Sequence, residues 1–317
     1  MSRLVSIIIP CHNAAAWLAA TLESAVRQTW ADKEIILVDD GSTDASPAVA
    51  RSFASRGVRI LTQPNRGAAA ARNSGLRAAR GDFVQFLDAD DLLAPDKIAR
   101  QLEVLLARPA GAIAAGPWGH FAADPAAAVF TPEPVWCDLA PIDWLVRSWT
   151  GGGMFPPFVW LAPRGLLDAA GPWNEALSLD DDGEYFCRAL LGARQVCFVP
   201  EARGYYRAHR GSRLSANRGE RAALSSFTSI ELKARRLLAA EDTPRTRHAL
   251  ACHWQRFAWE QLADAPGPAA EAIRRAALLD PDLAPPRGPV AYALAARVLG
   301  WRRARRLQLA AKRLLRR

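Results

Sequence analysis

The chain has 317 residues, half of them apolar and 23% charged, and a formal net charge of +9. This length is enough for one large domain and a smaller one, and the composition is that of a globular protein. Because no apolar run is long enough to span a bilayer and the N-terminus becomes polar too early for a signal peptide, we expect a cytoplasmic protein. The five cysteines form no CxxC pair, which favours reduced thiols over disulfides or zinc ligands.

Strands and helices alternate over the first hundred residues. The β-branched run at 4–10 is typical of a strand buried on both faces, and Asn13 is placed to cap the helix that follows. Further strands are predicted at 34–40, 58–63 and 82–88, and further helices begin at Ser46, at Gly67 and near Pro95. This order predicts right-handed crossovers and a doubly wound, mostly parallel sheet.

The chain after residue 108 is less regular. Residues 109–170 are rich in Pro, Gly and Trp and show weak periodicity, and we interpret them as the substrate-facing half, where loops determine specificity. A loop entering a helix is predicted at 178–193 and a strand at 195–200. From about Gly219 onward the composition is helical.

Acidic residues follow two of the predicted strands. Asp39 and Asp40 end the second strand, and Asp88, Asp90 and Asp91 end the fourth. Ligands of a doubly wound sheet bind outside the carboxyl ends of its strands. A single aspartate there is commonly a turn residue, whereas two clusters at one edge favour Mg²⁺ or Mn²⁺ with a phosphate-bearing ligand.

Basic residues flank the start of the third predicted helix. The dipole of that helix and the guanidinium groups of Arg66 and Arg72 suit a diphosphate, although either arginine is also compatible with simple solvation. The sequence contains no GxxxxGK[ST] loop and no GxGxxG fingerprint, which disfavours a kinase or a dehydrogenase.

Three N-terminal segments carry a resemblance to a known family: VSIIIPCHNAAAWLAATLESAVRQTW, EIILVDDGSTD and NRGAAAARNSGLRAARGDFVQFLDADD. In order and spacing they resemble the signature of the family 2 inverting glycosyltransferases, of the bacterial cell-surface glycan type. A weaker similarity continues to about residue 213. The resemblance implies the GT-A nucleotide-diphospho-sugar transferase fold over 1–215, followed by a helical region over 216–317. Within the first domain, 1–108 would be the nucleotide-binding half and 109–215 the acceptor-binding half.

The resemblance also implies a donor site. Asp39 and Asp40 occupy the family's DDGS positions, and Asp40 is the one we favour as the partner of a uracil-type base. The Asp88–Ala89–Asp90 segment fits the DxD motif, whose second acid binds the metal and whose first holds the ribose or the sugar. The other residues implied to contact the nucleotide sugar are Pro10, His12, Asn13, Asn65, Gly67 and, near the diphosphate, Arg72.

A catalytic base is implied at the start of a later helix. The family has an Asp, preceded by a Glu, six residues before an Arg; here Asp182 lies six residues before Arg188, with Asp181 in the Glu position. Three consecutive aspartates leave the register open, and they are also compatible with an acid cluster that only stabilises a helix N-terminus. His209 lies where relatives have a segment that folds over the diphosphate, so it is either a metal or phosphate contact or a plain surface histidine.

The implied activity is metal-dependent, inverting transfer of one sugar from a nucleotide-diphosphate sugar to a glycan or a lipid-linked acceptor. A UDP-sugar is the favoured donor, and the QxxRW motif and membrane spans of processive members are absent. One alternative is a catalytically silent relative that keeps the nucleotide pocket. Another is a nucleotidyltransferase, which needs a Gly-rich loop after the first strand, where this chain has PCHNAAAW.

The positive charge is concentrated at the C-terminus. Residues 297–317 contain nine Lys and Arg and no acid, which argues against a broad nucleic-acid-binding face. With Trp301 and Leu307 among the arginines, the pattern suits an anionic membrane surface, and the protein would then be peripheral on the inner face of the plasma membrane. A solvated helix that packs its leucines on the body is the alternative, and the C-terminal helices are also candidates for an oligomer contact.

Overall fold

The structure, a computed structural model, describes most of the chain. The described residues are 3–151, 153, 155–208, 219–287 and 289–314. They divide into two compact units, Met1–Gly211 and Ser212–Arg317.

A seven-stranded sheet forms the centre of the first unit. Its strand order is β3-β2-β1-β4-β8-β6-β9, and a second, three-stranded sheet has the order β5-β10-β7. The strands are β1 Val5–Cys11, β2 Lys33–Asp40, β3 Val58–Gln63, β4 Phe83–Phe86, β5 Leu92–Leu93, β6 Ala112–Ala115, β7 Trp118–Phe121, β8 Trp160–Pro163, β9 Gln195–Phe198 and β10 Gly204–Arg207. The helices of this unit are α1 Ala15–Val26, α2 Ser46–Ser52, α3 Ala68–Ala78, α4 Lys97–Ala107, α5 Pro141–Gly151, α6 Arg164–Ala170 and α7 Asp181–Gly192.

The central strands bring the predicted acidic positions to one edge of the sheet. Every residue of β1 is buried, as expected of a strand covered by helices on both faces. Because β1 pairs in parallel with both β2 and β4, the carboxyl ends of all three lie side by side. Helix α3 packs closely on β1, since a Cβ at Gly75 would collide with Ile8 Cγ2.

The irregular region at 109–170 contains short elements that its weak periodicity did not reveal. Strand β8 pairs antiparallel with both β4 and β6, so the sheet is mixed on this side and parallel elsewhere. Strand β5 follows the acidic cluster directly and pairs with β10.

The predicted cap at Asn13 is wrong. Asn13 has a positive φ of 51°, and α1 begins after Ala14 without a side-chain cap. The backbone N–H groups of Ala14 and Ala15 instead donate to Ser46 Oγ at 2.8 Å and Asp44 Oδ2 at 3.0 Å. The loop after β2 therefore satisfies donors that an N-cap residue would otherwise bind.

The second unit is helical. A capping box between Thr243 and Thr246 begins its second helix, and Trp254 and Phe257 lie in an alanine-rich core. Within the described ranges, no helix combines the length and the hydropathy needed to cross a membrane. The helices are α8 Glu220–Ala240, α9 Pro244–Gln261, α10 Pro266–Leu279, α11 Val290–Leu299 and α12 Trp301–Leu314.

Candidate active site

Asp40 holds the loop that follows β3. Its Oδ1 accepts hydrogen bonds from the backbone N–H of Arg66 at 2.9 Å and from Gln63 Nε2 at 2.7 Å, and its Oδ2 accepts one from Gly67 N at 2.8 Å. The Asp40 residue is only 3% exposed. Both carboxylate oxygens are thus used to shape the loop in front of α3.

His12 and Asn65 lie together at the exposed edge of this loop. His12 Nδ1 donates to the carbonyl oxygen of Asp40 at 2.9 Å, and Asn65 Nδ2 lies 3.0 Å from His12 Nε2. Asn13 Oδ1 accepts from Thr43 N at 2.8 Å, which ties the end of β1 to the loop after β2. The three predicted polar residues therefore form one surface, with Pro10 buried behind them in β1.

Asp39 has a different environment from Asp40. It is buried, with 5% of its surface exposed, and its Oδ1 accepts from Ser42 N at 3.2 Å. Gly41, between this residue and Ser42, has a φ of +69°, and a Cβ there would lie 2.7 Å from Asn65 N. Only glycine accommodates that backbone conformation and that approach without strain, so the loop after β2 lies directly against Asn65.

Hydrogen bonds from Arg207 and from Thr21 hold the acidic turn that follows β4. Asp91 is 1% exposed, and its Oδ1 accepts from the backbone N–H of Arg207 at 2.9 Å. Thr21 Oγ1 donates to the carbonyl oxygens of Ala89 and Asp91, each at 2.9 Å. These contacts fix the backbone of the turn, and Asp88 and Asp90 on either side of Ala89 are half-buried.

Arg72 joins this turn to the start of α7. Its Nη2 lies 2.7 Å from Asp88 Oδ1 and its Nη1 lies 2.9 Å from Asp181 Oδ2. The guanidinium also lies over the Trp173 ring, 4.5 Å from the centroid. Burial alone lowers the pKa of Arg72, but Asp88 and Asp181 outweigh this and raise it above its ordinary value. A permanent positive charge therefore separates two carboxylates that would otherwise repel each other.

Asp182, the second residue of α7, has a pKa well above that of an ordinary aspartate. Burial, followed by the charges of Asp181 and Asp180, raises the pKa of Asp182 to about 7, and Arg72 opposes this shift. The carboxylate accepts one backbone hydrogen bond, from Gly183 N at 2.8 Å. Burial also raises the pKa of Asp181, against the effect of Arg72. A carboxyl with a pKa near neutrality can accept and release a proton at physiological pH.

The residues that fix α7 were missed by sequence reasoning. Trp173 stacks on Tyr185 with ring centroids 4.1 Å apart. Asn73, next to Arg72, donates Nδ2 to Trp173 O at 3.0 Å and accepts from Trp173 N at 2.8 Å. Arg188 Nη2 donates to Glu184 Oε2 at 2.8 Å and to the Pro172 carbonyl at 2.8 Å. The segment before α7 is thus clamped between α3 and the body of α7, which holds the acidic N-terminus in place.

Residues 6–127 match the family model described as glycosyl transferase family 2. Over these residues, somewhat more than a third of its length, the chain is similar to that family. An uncharacterized glycosyltransferase of Haemophilus influenzae is 42% identical over 106 residues, which are 32% of this chain and 42% of that protein. Glycosyltransferase GlyG of Streptococcus pneumoniae is 28% identical over 221 residues, 67% of this chain and 73% of that protein.

A third similar protein is WfgD of Escherichia coli, a UDP-Glc:alpha-D-GlcNAc-diphosphoundecaprenol beta-1,3-glucosyltransferase. It is 38% identical over 104 residues, 32% of this chain and 41% of that protein. This chain therefore spans less than half the length of the H. influenzae and E. coli proteins.

Solved structures share the fold. Staphylococcus aureus TarS 1–349 in complex with UDP-GlcNAc matches with a TM-score of 0.69 and 16% identity, over 97% of this chain and 92% of that chain. The mannosyltransferase PcManGT from Pyrobaculum calidifontis, in complex with GDP-Man and Mn²⁺, matches with a TM-score of 0.56 and 19% identity, over 98% of this chain and 80% of that chain. The predicted GT-A fold with a helical C-terminal region is confirmed.

The acidic turn after β4 presents carboxylates that suit one particular mode of cation binding. Among the described residues, no group of three or more His, Cys, Asp or Glu side chains could hold a metal ion. Mg²⁺ commonly binds through one or two carboxylates and completes its shell with substrate phosphates and water. Asp90 and Asp88 supply oxygen ligands of this kind, whereas the predicted ligand His209 lies outside the described residues.

Replacing Asp40 by alanine tests its role in the loop. We expect the unfolding free energy to fall by roughly 2–3 kcal/mol, because the backbone N–H groups of Arg66 and Gly67 lose a charged acceptor. Urea unfolding measures this change, and Asp82→Ala, at an exposed position of the same unit, is the control. Equal stability of the two variants would contradict the structural role.

Proposed function

We propose that this chain transfers a sugar, with inversion, from a nucleotide-diphosphate sugar to an acceptor hydroxyl. The observation that carries the proposal is the arrangement around Arg72. This arginine joins Asp88 of the DxD turn to Asp181, and the neighbouring Asp182 has a pKa raised to about 7 by burial and by Asp181. An inverting transfer requires one acidic site for the leaving group and a separate one for the proton of the nucleophile.

Asp182 is the proposed general base. It accepts the proton of the acceptor hydroxyl as that oxygen attacks the anomeric carbon, a contribution of about 10²–10⁴ in rate. Asp181 and Asp180 favour this role because their charges add to the effect of burial, which is the larger cause of the raised pKa of Asp182. Asp181 is itself engaged by Arg72 at 2.9 Å, which makes it the supporting residue and not the base.

The donor nucleotide is proposed to lie at the ends of β1 and β2. His12 and Asn65 present polar atoms there. We assign recognition of the base to Asp39 in preference to Asp40, because both Asp40 oxygens already bind the loop. A uridine nucleotide is favoured by the likeness to TarS, whose structure contains UDP-GlcNAc.

A divalent cation, Mg²⁺ or Mn²⁺, is proposed to bind Asp90 and, secondarily, Asp88. Asp90 is the proposed principal ligand because it occupies the second acid position of the DxD motif, and Asp88 pairs with Arg72. When bound, such a cation stabilises the negative charge that grows on a leaving diphosphate. PcManGT, a structural neighbour, contains Mn²⁺ with its nucleotide sugar, which supports a divalent ion without fixing its identity.

The proposed acceptor is a glycan or a lipid-linked sugar, extended by one residue at a time. WfgD, whose name specifies a diphosphoundecaprenol-linked acceptor, supports the lipid-linked alternative.

Thermal unfolding with UDP, GDP, dTDP, CDP and ATP, each with and without Mn²⁺, tests the donor assignment. A ligand that binds only the folded state raises its stability in proportion to the logarithm of saturation. We expect a Mn²⁺-dependent rise with one diphosphate. No rise with any nucleotide would contradict the proposal, and a rise without transfer from the matching nucleotide sugar would favour the catalytically silent alternative.

We also propose that the second unit binds an anionic bilayer through α11 and α12. Val290, Leu294 and Val298, four residues apart along α11, are 78%, 60% and 83% exposed. The opposite side of α11 packs inward, because Tyr292 is 4% exposed and contacts the Trp259 ring with centroids 4.9 Å apart. An exposed apolar stripe of this kind is suited to the interfacial region of a membrane.

Helix α12 supplies the matching charge. Arg302, Arg303 and Arg306 are exposed, while Arg305 lies over the Trp259 ring at 4.0 Å and fixes the helix on α9. Each basic residue near an anionic surface contributes about 1 kcal/mol to binding.

The double substitution Leu294→Glu/Val298→Glu should weaken sedimentation with phosphatidylglycerol-containing liposomes about tenfold or more, because it places charges in the apolar stripe. Leu278→Glu, on α10 at a residue 68% exposed, is the matched control. Binding that is equal for both variants would exclude this surface. The stripe is instead a contact between copies of the chain if two results are found together. The wild-type chain does not bind liposomes, and sedimentation velocity shows a dimer that the double variant does not form.

A further inference from the structure

One face of the three-stranded sheet carries a row of side chains that the proposed mechanism does not use. Tyr206 in β10 pairs with His120 in β7. His120 in turn pairs with Val129 through two backbone hydrogen bonds, of 3.0 and 2.9 Å. Because directly paired residues project from the same face of a sheet, Tyr206, His120 and Val129 form a continuous cross-strand row.

A tryptophan lies beside this cross-strand row. Trp118 is two residues from His120 on the same strand and therefore on the same face. Its ring lies 4.8 Å from the His120 ring and 5.8 Å from the Tyr206 ring, measured between centroids. Trp118 is 8% exposed, and its buried Nε1 has no hydrogen-bond acceptor among the described residues. A buried N–H donor of this kind is costly unless a partner arrives.

The row is open to solvent. His120 is exposed, Tyr206 is half-buried, and Val129 is 65% exposed. Two aromatic rings and a valine therefore present apolar surface with a polar group at its edge.

The other face of the same sheet is packed. Tyr205 lies 6.2 Å from Phe121 and 5.9 Å from Phe130 between ring centroids, and the Arg207 guanidinium lies 4.4 Å from the centroid of the Phe121 ring. The sheet thus already has an aromatic interior on that side. The first face is packed only at its Trp118 end, where a Cβ at Gly204, the partner of Trp118, would collide with the Phe158 ring.

The inner end of the row adjoins the candidate active site. Arg207, which follows Tyr206, donates its backbone N–H to Asp91 Oδ1 at 2.9 Å and its Nε to the carbonyl oxygen of Asp90 at 2.8 Å. Tyr205, which precedes Tyr206, pairs with Leu92 of β5. The distance from β5, next to the acidic turn, to Val129 covers three strand spacings of about 4.8 Å each: β5 to β10, β10 to β7, and β7 to the segment that contains Val129.

We propose that the cross-strand row and Trp118 form the acceptor subsite and bind a pyranose ring. A pyranose has an apolar face of C–H groups and a rim of hydroxyl groups. The apolar face suits the rings of Tyr206 and His120, because contact between these apolar surfaces removes both from water. Trp118 supports this surface from below, because its ring packs against both of those rings. The acceptor, not the donor, is the occupant, because the row leads away from the turn that holds Asp90.

This inference rests on the proposed function, and direct binding measurements test the two separately. The probes are methyl β-D-glucopyranoside and methyl 2-acetamido-2-deoxy-β-D-glucopyranoside, added to the full chain with UDP and Mn²⁺ and observed by saturation-transfer difference NMR. His120→Ala and Tyr206→Ala should weaken glycoside binding roughly three- to tenfold each. Trp118→Leu, which removes the ring that packs against His120 and Tyr206, should weaken it as well. Leu106→Ala, at another exposed apolar residue of the first unit, is the control and should bind as wild type does.

UDP affinity, measured on the same samples, separates the possible results. Unchanged UDP binding with weakened glycoside binding in the three variants supports the subsite. Glycoside binding equal to wild type in all three, or none by a wild-type chain that binds UDP, overturns it. A wild-type chain that binds glycosides through this row but binds no nucleotide would retain the carbohydrate site and refute the proposed transferase.

Discussion

Replacing Asp182 by asparagine should lower the rate of sugar transfer by about 10²–10⁴-fold, the usual contribution of a general base. Asparagine keeps the size of the side chain and can still accept the hydrogen bond from Gly183 N, which is 2.8 Å long in the native chain. Nucleotide binding should therefore remain at the wild-type level. Single-turnover transfer, with UDP affinity measured in parallel, gives both quantities.

Two neighbouring substitutions locate the base within the acidic run. Asp180 has a φ of 61°, a conformation that asparagine adopts readily, so Asp180→Asn is the matched control and should retain transfer. If Asp182→Asn keeps its turnover while Asp181→Asn loses it, the base is Asp181.

The pH dependence of transfer follows from the acidity of Asp182. Burial, Asp181 and Asp180 raise the pKa of Asp182 to about 7, and only the deprotonated carboxylate can accept a proton. The rate should therefore rise as the pH increases through about 7 and level off above it. Asp180→Asn removes one of the charges that raise the pKa, so its rate should rise at a lower pH.

The same carboxyl should make the folded protein less stable at alkaline pH. An aspartate in an unfolded chain has a pKa of about 3.9, below the value of about 7 for Asp182 in the folded chain. Its protonated form thus favours folding at low pH, and that contribution is lost as the pH rises from about 4 to about 7. Asp182→Asn should then be more stable than wild type at pH 8 and no more stable at pH 4, as thermal unfolding at the two pH values would show.

Much of the first half of the fold follows from local patterns in the sequence. Strands β1, β2 and β4 are apolar runs covered on both faces, which is why their existence is readable without a structure. The rule that ligands bind at the carboxyl ends of parallel strands then places Asp39 and Asp88 at one edge. Strands β7 and β8 lie within the Pro-, Gly- and Trp-rich region at 109–170, where turn residues interrupt the apolar pattern, and they were not predicted.

The roles of individual site residues depend on contacts that no local pattern contains. Asp40 and Gly67 are 27 positions apart, and Arg72 and Asp181 are 109 apart. The resemblance predicts Arg72 near a diphosphate, and that stays a prediction; its position between two carboxylates is visible only in the structure. Asn73 and Trp173 gave no signal at all, because a side-chain amide that bonds the backbone of a residue 100 positions away leaves no local pattern in the sequence.

Replacing Arg72 by glutamine should destabilise the first unit by about 3–5 kcal/mol, the usual consequence of removing one partner of a buried ion pair. The side chain of Arg72 is 6% exposed and those of its partners Asp88 and Asp181 are 27% and 16% exposed, so two poorly solvated carboxylates would lose their counter-charge. Urea unfolding measures the change. Arg77→Gln, on the same helix at an exposed residue, is the control.

A second substitution tests whether the lost stability comes from the unbalanced charges of the carboxylates. Arg72→Gln combined with Asp88→Asn removes the positive charge and one of the two carboxylates, so part of the lost stability should return. The single variant should also shift the pH dependence of transfer, because Arg72 lowers the pKa of Asp182: without it, the rate should rise at a pH higher than about 7. A single variant with the stability and the pH profile of Arg77→Gln would mean that Arg72 neither holds the acidic end of α7 in place nor lowers the pKa of Asp182.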